Sequence, residues 1–401
     1  MVHRPRLLDL TRLLSRAGRG HTGVDRVERA YLDRFLADAE VPLFGLIRTG
    51  QGQLLFDRAG LEALRQRIVS GDWGQPRGLS RLSRRLSPVR RDALSRAREL
   101  AVARSLRPGL GRMLSRLGGP FDYYNVGHAH LDAASLAAIG GAGGTRHVLL
   151  HDTIPLDHPD LTRPEAVASF RARFGSALAG ADRIIVNSRA TAEAVRRHAG
   201  AGPCPPITVA PLGLDLPKTL GAPGLCDGRP YFVALGTIEP RKNHALLLDA
   251  WERLGPTPPA LLIIGARGWR NEAVFNRLDG LPPDGPVQEL GALDDATALG
   301  LVAGARALLF PSLAEGYGLP PLEAAALGTP AIVSDLPVLR ETLGESGVYL
   351  DPADVYSWVK EIERLAASPP PERTPMPNPP SWAAHFGLVL DPGGPGPEQQ
   401  D

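Results

Sequence analysis

Two registers of apolar and polar positions alternate along this chain. Apolar runs of four to seven residues recur at Arg6 to Leu10, Val41 to Ile47, Phe121 to Val126, Arg146 to Leu150, Arg183 to Val186 and Ile207 to Ala210. They recur again at Tyr231 to Leu235, Leu261 to Ile264, Val287 to Leu290, Ala307 to Phe310 and Ala331 to Ser334. Each reads as a buried strand. Between them the spacing becomes helical. After Thr22, the residues Val24, Val27, Ala30, Tyr31 and Phe35 form one apolar face. Further helices are predicted over Leu161 to Leu178, after an Asn187 or Ser188 cap, from Asn243 or His244, and over Asp294 to Ala303. Three more follow, over about Pro321 to Leu327, Asp354 to Leu365 and about Ser381 to Val389. Nearly continuous apolar strands alternating with helices imply parallel sheets covered on both faces, an α/β doubly wound architecture.

The 401 residues exceed what one core usually holds. The glycine- and proline-bearing stretch LPKTLGAPGLCDGRP, Leu216 to Pro230, reads as a linker. The predicted domains are 1–218 and 219–372, followed by a proline-rich segment over 373–401 that carries the last helix and a Gly/Pro tail expected to be disordered.

A net charge of +2 conceals a concentration of charge. Twelve arginines between Arg77 and Arg116 face only Asp92 and Glu99, so this stretch carries about ten positive charges and the rest of the chain is net negative. Leu79, Leu82, Leu86, Val89, Leu94, Leu100, Leu106, Leu110, Leu114 and Leu117 give the stretch an apolar side. The segment, about 77–118, is either an insertion with a buried leucine stripe or a surface that lies on anionic lipid. No reading motif or aromatic interleaving accompanies the charge, so nucleic acid is not an expected partner. Cys204 and Cys226 have no metal-ligand spacing and suggest a reducing compartment. The N-terminal MVHRPRLLDLTRLL lacks an apolar signal core, and no run approaches a membrane span. The expected location is cytoplasmic, peripheral at most on the inner face of a membrane.

Candidate chemistry concentrates in FPSLAEGYGLPPLEAAALGTPAIVSD, Phe310 to Asp335. A strand, a turn with Gly316 and Gly318, and a proline-primed helix leave backbone N–H groups pointing into a crevice that attracts anions such as diphosphate. Glu315 lies in the turn and Glu323 on the expected first helical turn, eight positions apart. Carboxylates on both sides of a phosphate site suit a ligand with a hydroxylated group at each end, the shape of a sugar nucleotide. An ordinary strand–helix–strand unit remains the plain alternative. Arg241 and Lys242, in YFVALGTIEPRKNHALLLDAWERL, stand at a helix start where their charge opposes the local dipole, which favours a diphosphate-binding role. The G-x-x-G at Gly265 lacks the dinucleotide fingerprint and its acidic partner, which excludes a dehydrogenase reading.

The E-x7-E of EGYGLPPLEAAALGTPAIVSD closely resembles the signature of the retaining glycosyltransferases of family 4, also called glycosyl transferases group 1. The resemblance implies the GT-B fold, two Rossmann-like domains facing each other across a cleft. It implies that Glu315 contacts the donor sugar and Glu323 the nucleotide ribose. GTIEPRKN resembles the family segment whose basic pair binds the donor phosphates. The implied donor set is Gly236, Thr237, Arg241, Lys242, Glu315, Gly316, Tyr317, Gly318, Leu319 and Glu323. TGVDRVERAYL and HDTIPLDHP resemble a bacterial polysaccharide branch, which implies acceptor-side contacts from His21, Thr22, Gly23, His151 and Asp152. For His21 a plain helix cap is equally open, and Asp152 either orients the imidazole or caps the next turn. Asn125 to His128 is a weaker candidate. Glu315, His151, Arg241 and Lys242 are the candidates for catalysis.

No D-x-D motif is placed to hold a metal on the diphosphate, so no metal or cofactor is expected, only a nucleoside diphosphate sugar as donor substrate. The implied activity is transfer of a hexose, mannose as a first assignment, to a glycan or lipid-linked glycan with retained configuration. A sugar-nucleotide epimerase of the same fold and an inactive family member serving as a subunit remain alternatives. In the GT-B fold a C-terminal helix crosses back to the first domain. Ser381 and Trp382 fit that pattern, while the short helix and proline-rich approach leave it open.

Overall fold

A computed structural model describes residues 3–19, 22–75, 86–221, 229–369 and 372–391. His21, Arg77, Arg81, Arg84, Arg85, Leu79, Leu82, Cys226 and the Gly/Pro tail lie outside these residues. The chain forms two compact units: Met1–His151 with Ser169–Val186 and Arg196–Thr208, and Asp152–Ala168 with Asn187–Val195 and Val209–Asp401.

The first unit is built on an eight-stranded sheet, whose strands are β1 (Arg6–Asp9), β2 (Leu43–Thr49), β3 (Gly52–Phe56), β4 (Ala103–Ser105), β5 (Phe121–Asn125), β6 (Gly144–Leu150), β7 (Arg183–Val186) and β8 (Ile207–Val209). Their order is β4-β3-β2-β1-β5-β6-β7-β8. From β2 through β1 and β5 to β7 the pairing is parallel, with Leu7 opposite Phe44 on one side and Tyr123 on the other. Leu7, Leu8, Phe121, Tyr123, Ile184 and Ile185 are all inaccessible to solvent, which is why these strands read as unbroken apolar runs.

The hairpin β2–β3 and the pair β3–β4 are antiparallel, a departure from simple double winding that the pattern of apolar runs did not signal. β4 is only three residues long and lies within the arginine-rich stretch. The described part of that stretch is thus joined to the sheet of the first unit. Its helix, Pro88–Leu100, buries Ala93, Ser95 and Ala97 in place of a leucine stripe. Small side chains let it lie close on its neighbours. Leu110 and Leu114 enter the core, whereas Leu106 is 74% exposed.

The second unit carries six strands, all parallel: β9 (Tyr231–Leu235), β10 (Ala260–Ile264), β11 (Val287–Gly291), β12 (Leu308–Phe310), β13 (Ala331–Ser334) and β14 (Gly347–Leu350). Their order is β11-β10-β9-β12-β13-β14. Phe232, Ile263, Leu309, Ile332 and Trp358 form the centre of its core. The last helix, Trp382–Leu390, is seated on residues 210–215 of the same unit. Trp382 Nε1 donates to Asp215 Oδ2 at 3.0 Å, His385 Nδ1 lies 3.1 Å from the Ala210 and Pro211 carbonyls, and Ser381 caps the helix through Ala384 N–H. A Cβ on Gly213 would fall 2.2 Å from Trp382 N, so only glycine permits this approach. Among the described residues, no helix is long and apolar enough to cross a membrane.

Candidate active site

In the second sheet the chain leaves β9 toward β10 and β11, and later returns to place β12, β13 and β14 on the other side. The carboxyl ends of β9 and β12 thus adjoin at a topological switch point, where open α/β sheets form their ligand crevices. The two sequence motifs follow these two strands. Gly236 and Gly265 hold φ values of 145° and 155°, and a Cβ on Gly265 would lie 2.0 Å from the Gly236 carbonyl oxygen. The turns after β9 and β10 pack backbone to backbone, which only glycines allow.

After Gly236 the chain passes Thr237, which is exposed, and enters the tight turn Pro240–Lys242. Asn243 ends that turn in the left-handed conformation and opens the helix His244–Arg253. This turn aims both cations at one carboxylate. Lys242 Nζ lies 2.6 Å and Arg241 Nη1 2.9 Å from Glu315 Oε1. Arg241 also pairs with Glu239 at 2.6 Å and donates to the Ala314 carbonyl at 3.2 Å. Lys242 stands 4.2 Å from the centre of the Phe310 ring.

Burial alone would raise the Glu315 pKa, but Arg241 and Lys242 overcome it and hold the carboxylate at about 2. Burial lowers the Lys242 pKa, with Glu315 opposing. For Arg241 burial works downward too, yet the carboxylates of Glu315, Glu239 and Asp152 leave it raised. His244, buried beside Lys242, is pushed down to about 4 by burial and that charge.

The loop after β12 is fixed to this turn. Leu313 N–H donates to the Arg241 carbonyl at 2.7 Å, and Tyr317 OH donates to the Leu212 carbonyl at 2.9 Å. Gly318, at φ 89°, caps the helix Leu319–Ala326, and a Cβ there would strike Leu339 at 2.5 Å. The helix begins at Leu319, two residues before the predicted start, because Pro320 and Pro321 fit inside its first turn. Glu323 is therefore the fifth helical residue, 2% exposed, and not a first-turn charge. Gly316 is half-buried and Tyr317 buried in this loop.

The predicted acceptor-side residues are distributed differently. Thr22 caps the helix Gly23–Ala37: its N–H and hydroxyl both reach Asp25 Oδ2 at 2.8 Å. Gly23 is the first helical residue and is exposed. His151 Nε2 lies 2.7 Å from the Val126 carbonyl and His128 Nε2 2.6 Å from the Leu149 carbonyl, which cross-links the ends of β5 and β6. Their rings are 5.0 Å apart. Burial drives His128 well below the usual histidine range. Asp152 accepts from Ile154 N–H at 3.1 Å, which is the capping role, and burial raises its pKa.

Sequence reasoning missed the polar network at the carboxyl ends of β1 and β5, which lie on the two sides of the switch point of the first sheet. There Arg48 Nη2 donates to Asp9 Oδ2 at 2.6 Å, to Tyr123 OH at 3.0 Å and to the Ala129 carbonyl at 3.2 Å. It also missed Glu239 and the inaccessible Glu28. Glu28 had a signal, because it follows Val24 by four positions and precedes Tyr31 by three, on the apolar face.

A family described as Glycosyltransferase Family 4 matches residues 62–218, and one described as Glycosyl transferases group 1 matches residues 229–368. The chain belongs to the group 1 glycosyltransferases. This glycosyltransferase is similar to the serotype-specific mannosyltransferase WbdA of Escherichia coli, 31% identical over 243 residues, 55% of this chain and 30% of that protein. It is 36% identical to the O-antigen chain mannosyltransferase B of Escherichia coli over 128 residues, 31% of this chain and 34% of the relative. The matches thus span about a third of the length of these relatives. Among solved structures, HepE of Anabaena in complex with UDP-glucose superposes with a TM-score of 0.59 at 15% identity, over 91% of this chain and 90% of that one. Sucrose-phosphate synthase of Thermosynechococcus elongatus gives a TM-score of 0.59 at 19% identity, over the same 91% and 90%. The fold is that of the GT-B glycosyltransferases.

Proposed function

We propose that this glycosyltransferase moves a hexose, mannose as the first assignment, from a nucleoside diphosphate sugar to a hydroxyl of a glycan or lipid-linked glycan, with retention of configuration. What carries the reading is the convergence of Arg241 and Lys242 on Glu315 at the β9/β12 switch point. The mannosyl assignment is supported by the mannosyltransferase relatives. Retention follows from the family resemblance.

In this reading the donor diphosphate lies over the turn Pro240–Lys242 and the start of the helix Leu319–Ala326. The bond from the sugar C1 to the diphosphate oxygen breaks, and Arg241 and Lys242 take up the negative charge that develops on that oxygen. The acceptor oxygen bonds to C1 on the same face, its proton passes to the departing diphosphate, and nucleoside diphosphate leaves. Glu315 holds the two cations in place and accepts hydrogen bonds from sugar hydroxyls. Glu323 receives the ribose hydroxyls. Charge neutralisation is assigned to the two cations, without a metal ion.

The deciding experiment is turnover of GDP-mannose, and of a panel of other nucleoside diphosphate sugars, with and without a mannan-type acceptor. Sugar transfer that needs acceptor, persists in excess EDTA and drops at least tenfold in Lys242→Met is the expected result. Conversion of the donor without acceptor points to the epimerase, and loss of activity with EDTA restored by a divalent ion removes the metal-free assignment.

The membrane reading is supported by the residues in and around β4. Val102 and Leu106, which flank it, are exposed together with Arg104 and Arg107. Sedimentation with anionic vesicles at low salt, lost in Arg104→Ser/Arg107→Ser/Leu106→Ser, tests it. Wild type remaining in the supernatant would end this reading.

A further inference from the structure

We propose that the crevice at the β1/β5 switch point of the first unit binds a phosphate ester carried by the acceptor, with Arg173 and Arg12 as its cationic ligands. This deepens the function proposed above and rests on it, with the first unit taken as the acceptor side that the family resemblance implies. In the first sheet the chain leaves β1 toward β2 on one side and later returns to place β5 on the other, so these strand ends also form a ligand crevice.

Arg12 stands on the helix Thr11–Ser15 that directly follows β1. Arg173 stands on the helix Pro164–Gly180 between the buried Phe170 and Phe174, with the Phe170 ring against His128 at 6.5 Å. The two arginines act on each other and both act on His128, so all three share one locality. Arg173 Nε is buried and has no hydrogen-bond partner among the described residues.

The negative charge nearby is already used or absent. Asp25 meets Arg12 Nε at 3.0 Å and Arg16 Nε at 2.7 Å, and it also accepts from Thr22. Glu28 is enclosed against Gly127, where a Cβ would lie 2.4 Å from its Oε1. Burial, reinforced by Asp9 and Asp25, keeps the Glu28 carboxyl protonated well above its ordinary range, though Arg12 and the Leu13 backbone oppose this. The His128 proton is committed to the Leu149 carbonyl. Arg12 thus shares Asp25 with Arg16, and among the described residues no carboxylate acts on Arg173, a positive locality that a neutral sugar hydroxyl would not compensate. A phosphate oxygen would, by charge-assisted bonds that arginine's planar fork suits. Phosphate borne on a lipid carrier and phosphate borne on a soluble sugar present the same chemistry here.

The test is calorimetric titration of the full chain, its donor site saturated with the nucleoside diphosphate that most raises its Tm. The probes are mannose 1-phosphate, dodecyl phosphate and methyl mannoside. At least one phosphate ester should bind, lose affinity tenfold or more in Arg173→Met and keep most of it in Arg173→Lys. Tighter binding of the dodecyl ester assigns a lipid-borne acceptor, and tighter binding of the sugar ester a soluble one. Neither ester binding, or Arg173→Met binding as wild type does, overturns the proposal. An unchanged affinity of Arg173→Met for the nucleoside diphosphate shows that the variant is folded. Should it not fold, salt decides with wild type: raising ionic strength must weaken ester binding, and an ester affinity independent of salt overturns the proposal. Absence of nucleoside diphosphate binding in wild type instead refutes the donor reading.

Discussion

Both sheets have a switch point with buried charge beneath it, but they manage that charge in opposite ways. At β9/β12, two cations meet Glu315 within 2.9 Å, and Arg241 has Glu239 as well. At β1/β5, Arg48 meets Asp9 through a single nitrogen, and its Nε and Nη1 have no partner among the described residues. Glu28 beside it is a carboxylic acid in a sealed site. The first arrangement spreads the cost of burial over several partners, and in the proposed function its charge meets an incoming diphosphate. The second is structural: it ties the ends of β1, β2 and β5 to the Ala129 carbonyl. His128 and His130 flank that residue with φ of 57° and 49°, and such strained backbone persists only where surrounding bonds hold it.

The contrast predicts unequal responses to loss of one cation. Arg48→Met strands Asp9 without a counter-charge and should cost about 3–5 kcal/mol of stability in denaturant unfolding. Lys242→Met leaves Arg241 on Glu315 and should cost clearly less. Equal losses would erase the distinction. For ligand binding the ranking reverses. Arg241→Ala should weaken nucleoside diphosphate binding by about 1.5–3 kcal/mol, roughly 10- to 150-fold in Kd, whereas Arg48→Lys should leave it unchanged by calorimetry.

The two regions should also differ in pH dependence. Glu28 has a folded pKa above its unfolded value near 4.3, so above that pH the unfolded chain releases a proton that the folded chain retains. Its stability contribution is intact below pH about 4.3 and is lost as pH rises toward the folded pKa, by about 1.4 kcal/mol per unit. Glu28→Gln should therefore raise Tm at pH 8 and leave it unchanged at pH 4, and a gain equal at both pH values would contradict this. His244 acts in the other direction. With its folded pKa at about 4, the stability it contributes is lost as pH falls from about 6.5 toward 4. The smallest effect is expected far from both switch points: Ser381→Ala removes one helix cap and should cost about 1 kcal/mol in unfolding, with both pH slopes retained.

Much of the second unit was legible in the sequence because its determinants are local. β13 falls at the predicted Ala331 to Ser334, and β9 at Tyr231 to Leu235. Parallel strands buried on both faces are apolar throughout, and glycine turns punctuate them. Arg241 and Lys242 sit within one tight turn, and Glu315 within one loop, so residue type and spacing were enough to single out three side chains that the structure brings together. The helix before Glu323 began earlier than expected because Pro320 and Pro321 lie within its first turn, where the N–H that proline lacks would have no intrahelical partner.

The first unit shows what local pattern leaves undecided. Thr22, Gly23 and His151 could be singled out, but their type did not show that Thr22 would close on Asp25 or that His151 would meet the Val126 carbonyl. Asp9 and Tyr123 meet across 114 positions, and Arg48 and Asp9 across 39. β4 could not be read from three residues inside an arginine-rich stretch, because its strand character comes from the hydrogen bonds offered by β3. Sequence alone determined the alternation of elements, the glycine turns and the charged motifs, since each depends on neighbours a few residues away. Only tertiary structure decided which charges would be buried together, because Coulomb energy and desolvation depend on distance and burial in the folded chain, and neither is a property of sequence spacing.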